Sequence, residues 1–535
     1  MAKTLFIGMD GATFTVLDHL TTDQTGEGVA MPFMKKFMEK GTRAKLRSTA
    51  NPLTPPAWVS LTTGRHPGTH GIYDFVRLDD RGSYVYYDLF GAKNIKAETI
   101  WSIMNRQNRS TVALNFTMTA PPREGTGSIV PGFVSWKHLR RNTTPPALFD
   151  RICTIPDFEP KELAWDFDRE KEAVAVLSEA EMEHWVRYHG VREKQWYRVA
   201  EYLLKEDDPD MLGVVFDGVD KIQHQAWQFL DPELIPKDPS PWEKRMRQAC
   251  VEFFTELDQY IEKLVTLAGP DCQVFMGSDH GFTWSSEVLR INMFLAEKGY
   301  LFWGDEETQK TGADSMWSAN LDWDRTVAYC GTPSSNAIRI RVADAPGKPG
   351  VKPSEYTSLR DQLIRDLESL EDENGKRLIS EVLKREDVFN GQDMANAPDL
   401  TLVLHDFGFV SVANLEPMHL KRDPVGTHHP NGVFLACGPG IAAKGEIERL
   451  DIVDVAATLL YSQGLSIPSD FEGEVPLAVF EPDYKSKHPV EIGEPTLPVA
   501  KGVARVGQAS AEPDEDSEEY RKQILDQLQM LGYME

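Results

Sequence analysis

The chain has 535 residues, a formal net charge of −26 at pH 7, an apolar fraction of 41% and an aromatic fraction of 10%. These fractions are typical of a folded globular protein and exclude a disordered chain. The negative charge argues against binding of a nucleic-acid duplex or of an anionic membrane, because both depend on clustered Lys and Arg.

The cysteines and the hydropathy of the chain indicate the cellular compartment in which the protein is expected to lie. The five cysteines form no CxxC pair, which favours a reducing environment. The apolar run at the N-terminus stops at Asp10, too early for the core of a signal peptide. No apolar stretch approaches the roughly 18 residues of a membrane-spanning helix. We therefore expect a cytoplasmic protein that does not associate with a membrane.

Apolar runs that end in Asp, Asn, His or Gly recur along the chain and predict buried strands. They cover residues 4–9, 111–114, 211–216, 273–276, 400–404 and 432–436. Helical patterns, such as residues 194–204 and 242–267, lie between them, so the pattern predicts an α/β fold whose sheet is covered by helices on both faces. Ligands of such sheets bind at the carboxyl ends of the strands, where Asp10, Asp217 and Asp279 fall.

Two segments interrupt this alternation, and the C-terminal part of the chain changes character. We interpret residues 135–205 and 300–395 as insertions that shape a cleft in a catalytic domain of residues 1–480; peripheral structure is the alternative. Residues 481–518 include an acidic run and predict a flexible linker. Residues 519–535 have helical apolar spacing and predict a short helix that packs on the chain or pairs with a partner, including a second copy.

Asp220 and His224 are candidate metal ligands. They are four residues apart, which on a helix places both side chains on one face. Asp217, three residues before Asp220, competes for the same role. The alternative is that one Asp caps the helix and that the His has a packing role.

The other candidate ligands lie next to predicted strands. Asp279 and His280 can reach one metal only if the strand has already turned at the flanking glycines. One histidine of the pair His428 and His429, which precedes the strand predicted at 432–436, is a further candidate. Asp10 is either a ligand or a capping residue. Because no cysteine belongs to this set, its Asp and His side chains suit a catalytic rather than a structural zinc.

Thr54 lies in the segment NPLTPPAWVSLTTGRHPGTHGIYDF, residues 51–75, and we predict that it stands in a proline-stiffened turn. Its hydroxyl is a poor nucleophile unless a cation lowers its pKa, and two cations could together clamp an in-line displacement at phosphorus. Ser60, Thr62 and Thr63 are rival hydroxyls in the same segment.

In order, Asp10, TPPAW with HPGTHGI, DxxxH, SDHG and GTHHPNG resemble the alkaline phosphatase superfamily. Within it, the pattern is most similar to the type I phosphodiesterase and nucleotide pyrophosphatase branch, including its predicted phosphohydrolases and phosphomutases. The resemblance covers most of residues 3–475. It implies a three-layer α/β/α fold with a mostly parallel mixed sheet, two divalent metal ions, usually Zn²⁺ with Mn²⁺ as the alternative, and a phosphorylated enzyme intermediate.

The resemblance also implies roles for individual residues. One metal would be held by Asp10, Thr54, Asp279 and His280, with Thr54 as the nucleophile. The other metal would be held by Asp220, His224 and His428.

Two positions depart from the pattern of many nucleotide pyrophosphatases. Pro55 follows the nucleophile and has no N–H to offer a phosphoryl oxygen, and Phe75 stands where an asparagine is common. Stabilisation of the oxyanion must therefore come from the metals or from a basic side chain. Lys137, His138, Arg140 and Arg141 form a dense basic cluster, and we hypothesise that one or more of them, with Lys137, Arg140 and Arg141 as the candidates, bind a distal anionic group of the substrate; a solvated helix face is the alternative.

The sequence favours a metal-dependent hydrolase of small phosphate mono- or diesters with a phosphothreonine intermediate. A phosphomutase or phosphotransferase would use the same site with a different acceptor. A non-catalytic metal-binding scaffold is the alternative from another class. A formylglycine sulfatase is disfavoured, because Thr54 followed by PPAW does not fit its CxPxR-type motif.

Overall fold

The computed structural model describes residues 3–23, 28–80, 85–166, 178–304 and 321–499. Residue contacts divide the chain into two units. The first contains the described residues up to 72, those of 91–283 and those from 428 onwards. The second contains those of 73–90 and 284–427. The predicted insertion at 135–205 belongs to the first unit, and the one at 300–395 belongs to the second.

A nine-stranded sheet forms the centre of the first unit. Its strands are β1 Thr4–Met9, β2 Thr42–Arg47, β3 Thr111–Leu114, β4 Ser128–Val130, β5 Met211–Phe216, β6 Gln273–Gly277, β7 Asn431–Cys437, β8 Gly445–Glu446 and β9 Leu450–Asp451. Their order across the sheet is β8-β2-β7-β6-β1-β5-β3-β4, and β9 also pairs with β2. The strand pairs are parallel except that β7 runs antiparallel to both β2 and β6.

β1 lies in the middle of this sheet, with Thr4 aligned with Met211 of β5 on one side and Gln273 of β6 on the other. All six of its residues are buried, as expected for a parallel strand covered on both faces. Because side chains alternate along a strand, Phe6 faces one helix layer and Met9 faces the other.

Helices form the two outer layers of the first unit. They are Phe14–Leu20, Pro32–Lys40, Thr54–Thr63, Pro67–His70, Ile100–Arg106, Trp136–Asn142, Pro146–Ile152, Glu179–Glu206, Gly218–Ala226, Pro241–Ala268, Asp454–Ser462 and Pro482–Lys487. Thr54–Thr63 packs with Ile100–Arg106 and Asp454–Ser462 in the layer next to Phe6. Glu179–Glu206, Gly218–Ala226 and Pro241–Ala268 pack together in the other layer. The predicted three-layer α/β/α fold is therefore confirmed.

The two longest helices begin with the same local signal. Ser178 and Glu181 form a capping box at the start of Glu179–Glu206, and Ser240 and Glu243 do the same for Pro241–Ala268. In each box the serine accepts a backbone N–H while the glutamate accepts the N–H of the serine, which satisfies donors that a helix start leaves open. Both helices contain the helical segments predicted from the apolar pattern.

The second unit contains mostly antiparallel sheets and short helices. One sheet has the strand order Ala328–Cys330, Ala337–Ile340, Leu400–Leu404 and Ile379–Lys384. The others are the hairpin of Val76–Asp80 and Val85–Leu89 and the three-stranded sheet of Val410–Ser411, Gly281–Arg290 and His419–His429. In this last sheet, residues 281–283 and 428–429 belong to the first unit. The helices are Ile291–Glu297, Tyr356–Glu368 and Arg385–Val388.

The strand predicted at 400–404 therefore exists, but it belongs to an antiparallel sheet rather than to the large parallel one. A short apolar run indicates a buried strand and carries no information about which sheet the strand joins.

The start of the predicted linker has regular structure. Within residues 481–499, Pro482–Lys487 is a helix and Ile492–Gly493 pairs with Ile467–Pro468. The ring of Tyr484 stacks on Phe480 with a centroid distance of 5.4 Å. The rest of the predicted linker and the helix predicted at 519–535 lie outside the described residues. None of the described helices combines the length and the hydropathy needed to cross a membrane.

Candidate active site

Strand direction brings the candidate ligands to one edge of the large sheet. Asp10 directly follows β1, Asp279 follows β6 after one intervening residue, and the helix that carries Asp220 starts just after β5. These strands are parallel, so their carboxyl ends lie at the same edge. His428 lies near the end of the strand His419–His429, three residues before β7, and it reaches the same edge because β7 runs in the opposite direction.

Asp220, His224 and His428 form one candidate metal group, which we call the Asp220 group. Their ligand atoms all lie within 4.8 Å of one another, and all three residues are buried. The Nε2 atoms of His224 and His428 are 3.0 Å apart, and Asp220 Oδ1 is 3.5 Å and 3.3 Å from them. The helical spacing of four residues between Asp220 and His224 thus places both side chains on one face, as predicted.

The orientation of His428 is fixed from outside this group. Its Nδ1 donates to the carbonyl oxygen of Pro52 over 2.7 Å, so the lone pair of its Nε2 is directed toward Asp220 and His224. Hydrogen bonding of the far ring nitrogen to a carbonyl is the usual way in which proteins orient a metal-binding imidazole. The arrangement therefore fits a divalent cation.

Asp10, Asp279 and His280 form the second candidate group, the Asp10 group, and their ligand atoms also lie within 4.8 Å of one another. His280 Nε2 is 3.2 Å from Asp279 Oδ2 and 3.7 Å from Asp10 Oδ1. Among the described residues, these two carboxylate oxygens are buried and have no hydrogen-bond partner. Buried carboxylate oxygens without a donor are expected where a cation binds.

Backbone contacts fix the other atoms of the Asp10 group. The N–H of Gly11 donates to Asp279 Oδ1 over 3.1 Å, and His280 Nδ1 donates to the carbonyl oxygen of Gly281 over 3.1 Å. β6 ends at Gly277 and the next strand begins at Gly281, so the chain turns between these glycines as predicted. The rings of His280 and His428 stack with a centroid distance of 3.6 Å, which makes the two groups direct neighbours.

Burial dominates the electrostatics of both groups. It raises the pKa of Asp10 well above its usual value, with repulsion from Asp279 and Asp220 adding to the effect, and it raises the pKa of Asp279 to about 8. Burial also lowers the pKa of His280 and of His428, so both imidazoles are uncharged and suited to act as metal ligands.

Asp220 is the exception among the carboxylates. Burial by itself would raise its pKa, but when the facing imidazoles of His224 and His428 carry a proton their attraction outweighs this effect and holds the pKa of Asp220 well below its usual value. Crowded buried carboxylates together with neutral imidazoles match the donor set that binds a divalent cation and releases protons as it does so.

Thr54 is the first residue of the helix Thr54–Thr63, so the prediction of a turn at this position was wrong. Pro55 and Pro56 fit here because the first turn of a helix makes no use of their missing N–H groups and their fixed φ suits a helix start. Thr54 is 4% exposed, and its Oγ1 is 3.4 Å from His280 Nε2. The helix thus directs this hydroxyl at the Asp10 group.

The rival hydroxyls are engaged elsewhere. Ser60 Oγ is hydrogen-bonded to His70 Nε2 over 2.9 Å, while Thr62 and Thr63 donate to the carbonyl oxygens of Trp58 and Val59. The last two bonds are of the i to i−4 type, which turns a hydroxyl back onto its own helix.

Asp217 and His429, the two rival ligands, make contacts outside the metal groups. Asp217 accepts from Arg192 over 3.2 Å and from Asn115 over 2.9 Å, and it makes no capping bond with its side chain. His429 Nδ1 accepts the N–H of Asn431. Neither residue belongs to a candidate metal group among the described residues.

The basic cluster lies on the helix Trp136–Asn142, where Lys137, Arg140 and Arg141 are exposed. Arg140 forms an ion pair with Asp150 over 2.8 Å. Binding of a substrate group by this cluster stays a prediction.

Several residues that support the site were missed in the sequence. Ser48 Oγ donates to the carbonyl oxygen of Asp279 over 2.6 Å, Gln223 Nε2 donates to that of Gly11 over 2.8 Å, and Trp58 Nε1 donates to Asp10 Oδ2 over 3.2 Å. For Gln223 and Trp58 the only signal in the sequence is that each lies close to a candidate site residue. Gln223 precedes His224, and Trp58 stands one helical turn after Thr54. Ser48 has no such signal.

A three-layer fold with two adjacent Asp and His groups and a buried hydroxyl at the carboxyl edge of the sheet is the arrangement expected of the alkaline phosphatase superfamily. The chain belongs to the type I phosphodiesterase/nucleotide pyrophosphatase family, whose model matches residues 4–431. It is a phosphoric ester hydrolase, and the family is metal-dependent. No sequence among curated proteins matches the chain.

Solved structures share the fold at low identity. Murine ectonucleotide pyrophosphatase/phosphodiesterase 5, as an inactive variant in complex with AMP, is 13% identical with a TM-score of 0.51, covering 88% of this chain and 98% of its own. Phosphonoacetate hydrolase from Sinorhizobium meliloti 1021, in complex with phosphonoformate, is 15% identical with a TM-score of 0.51, covering 86% of this chain and 95% of its own. The family supports a phosphodiesterase or nucleotide pyrophosphatase, and the solved structures show the shared fold.

Proposed function

We propose that this chain hydrolyses small phosphate mono- or diesters through a phosphothreonine intermediate on Thr54. The observation that carries the proposal is the position of Thr54 Oγ1, buried at a helix start and 3.4 Å from the Nε2 of His280. A hydroxyl placed beside three candidate metal ligands is in the right environment to be activated.

Two groups of side chains would hold two divalent ions. Asp10, Thr54, Asp279 and His280 would hold one, and the Asp220 group would hold the other. Mixed carboxylate and imidazole donors without cysteine favour Zn²⁺, with Mn²⁺ as the alternative. When bound, such ions lower the pKa of a hydroxyl and stabilise the negative charge that develops on the phosphoryl oxygens.

The contribution of the chain itself is to place the nucleophile. Thr54 Oγ1 gives its proton to solvent and attacks phosphorus, so that the Oγ1–P bond forms while the bond from phosphorus to the leaving oxygen breaks. The leaving alkoxide takes a proton from solvent. Water then attacks the phosphothreonine, which releases phosphate or its monoester and restores the hydroxyl.

The backbone of the three residues that follow Thr54 offers no hydrogen-bond donor to a phosphoryl oxygen. Pro55 and Pro56 have no N–H, and the N–H of Ala57 already donates to the carbonyl oxygen of Leu53 over 3.1 Å. Negative charge on the phosphoryl group must therefore be stabilised by other groups of the site.

The proposal is tested by comparing Thr54→Ala with Thr54→Ser on p-nitrophenyl phosphate and bis-p-nitrophenyl phosphate, with metal content measured for each protein. We expect Thr54→Ala to lower kcat by a factor on the order of 10³ or more, because an activated nucleophile is lost. Thr54→Ser keeps a hydroxyl and should retain part of the activity. Parental activity in Thr54→Ala would reject Thr54 as the nucleophile, and an isomerised product in place of inorganic phosphate would indicate a phosphomutase.

We also propose that Lys137, Arg140 and Arg141 bind a distal anionic group of the substrate. Arg140→Ala together with Arg141→Ala should then raise KM and leave kcat unchanged. Asp150→Ala is the matched control, because it removes the ion-pair partner of Arg140 and keeps all three cations. Unchanged KM values of this double variant across several phosphate esters would reject the proposal.

A further inference from the structure

The two carboxylate oxygens of Asp10 have different surroundings. Oδ2 accepts a hydrogen bond from the indole Nε1 of Trp58 over 3.2 Å. Oδ1 is buried without a hydrogen-bond partner among the described residues and lies 3.7 Å from the Nε2 of His280. One oxygen is thus fixed by an N–H donor, and the other is directed into the Asp10 group.

Trp58 and Thr54 belong to the same helix and are four residues apart. Side chains with this spacing lie on one face of a helix, one turn from each other. The helix that presents the nucleophile therefore also presents the donor that holds Asp10.

The Trp58 ring is held on several sides. It is 1% exposed, and it meets the ring of Phe116 edge-on, with a centroid distance of 5.6 Å and an interplanar angle of 85°. On the side of β1 it lies over Gly8, where a Cβ would be only 2.6 Å from the indole Cη2. A ring confined in this way keeps its N–H in one place, which is what a positioning donor requires.

We propose that Trp58 is a positioning residue, whose N–H fixes the rotation of Asp10 so that Oδ1 faces a divalent cation in the Asp10 group. It also sets the distance between that ligand and the helix of Thr54. The inference rests on the proposed function, because it assumes that the Asp10 group holds a cation. Residues that orient a metal ligand typically contribute about 10- to 100-fold to metal affinity.

Trp58→Phe removes the N–H donor and keeps an aromatic ring in the same space. Trp101→Phe is the matched control: Trp101 is also 1% exposed and packs against the same Phe116 ring, with a centroid distance of 5.0 Å. The two substitutions remove similar buried volume, but only the first removes a hydrogen bond to a candidate ligand.

The experiment measures Zn²⁺ stoichiometry and affinity by chelator competition on the purified full-length chain, and the thermal stability of the metal-free forms. We expect Trp58→Phe to weaken one of two Zn²⁺ sites by about 10- to 100-fold. Trp101→Phe should keep both affinities, and the two metal-free variants should unfold at similar temperatures. Parental affinity for both ions in Trp58→Phe, or equal loss of affinity in both variants, would overturn the inference.

These outcomes can be separated from a failure of the proposed function. If Thr54→Ala is fully active while Trp58→Phe loses Zn²⁺ affinity, the nucleophile is wrongly assigned and the positioning role stands. If the parent chain binds no divalent cation, the positioning role falls, whatever the Thr54 variants show.

Discussion

The guanidinium of Arg192 lies 3.2 Å from the carboxylate of Asp217, and their side chains are 2% and 4% exposed. Asn115 adds a second donor to the same carboxylate. Asp217 is therefore held in a buried ion pair, whereas Asp220, three residues further on, faces His224 and His428. The sequence leaves both aspartates as candidate metal ligands, but in the fold Asp217 forms an ion pair and only Asp220 faces the two imidazoles.

Substitution of each aspartate by asparagine should separate these roles. Asp217→Asn removes one carboxylate of a buried ion pair with Arg192, which should lower the free energy of unfolding by about 3–5 kcal/mol while two ions are still bound. Asp220→Asn should lose one ion and most of the activity, with a smaller effect on the metal-free protein. Urea denaturation and metal analysis check both, and loss of metal in Asp217→Asn alone would reverse the assignment.

Two glycines of the large sheet provide a second comparison. A Cβ at Gly8 would lie 2.6 Å from Trp58 Cη2 and 2.9 Å from Val215 Cγ2, whereas at Gly277 the nearest atoms are 3.6 Å away. Gly8→Ala should therefore lower the free energy of unfolding by about 1–3 kcal/mol through overpacking. Gly277→Ala should change it little. Chemical denaturation of the metal-free variants measures both, and equal stability of the two would contradict the packing around Trp58.

His70 should make the free energy of unfolding depend on pH. It is buried, its Nδ1 accepts the N–H of Ile72, and its Nε2 is bonded to Ser60 Oγ. Burial, with a contribution from the neighbouring His66, lowers the pKa of His70 to about 3. Between that value and the ordinary pKa of 6.5, the unfolded chain binds a proton that the folded chain does not, so stability falls as the pH falls below 6.5.

For this single group the loss between pH 7.5 and pH 5 is about 2 kcal/mol. His70→Asn keeps an acceptor for the N–H of Ile72 but cannot titrate. Between pH 7.5 and pH 5, the free energy of unfolding of this variant should therefore fall by about 2 kcal/mol less than that of the parent. Ser60→Ala is the control, because it removes the hydrogen bond and keeps the imidazole. Urea unfolding at both pH values measures the slopes, and parallel slopes for the parent and His70→Asn would count against the prediction.

Removal of divalent ions should destabilise the first unit. An ion that binds only the folded chain contributes about 2.7 kcal/mol when its free concentration is 100 times its Kd. A chelator should therefore lower Tm, and added Zn²⁺ should restore it. His224→Ala in the Asp220 group and Asp279→Ala in the Asp10 group should each show a smaller chelator effect, and a parent Tm insensitive to chelator would argue against both groups.

The position of the site was predictable from the sequence, because its ligands stand next to apolar runs that end abruptly. Asp10 and Asp279 follow such runs, and the fold brings both to one sheet edge as expected. The resemblance favoured Asp220 as the ligand, but local spacing could not decide between Asp217 and Asp220, because Asp217 is paired with Arg192, 25 positions away on another helix. Local spacing cannot reveal such a contact.

The start of the helix Thr54–Thr63 was misjudged for a physical reason. Two successive prolines are common in turns, but they are equally compatible with the first turn of a helix. The role of Trp58 could not be seen either, because an aromatic residue at helical spacing is most simply interpreted as part of the core. Trp58 does belong to the core, and its indole N–H also donates to Asp10.

The six side chains of the two metal groups come from positions as far apart as Asp10 and His428. Four neighbouring strands, β7, β6, β1 and β5, must already be aligned before these ligands can meet, and the reversed β7 joins from the far end of the chain. An ion bound by these groups would therefore bind only after the strands are aligned, and it would then link strands that are distant in sequence.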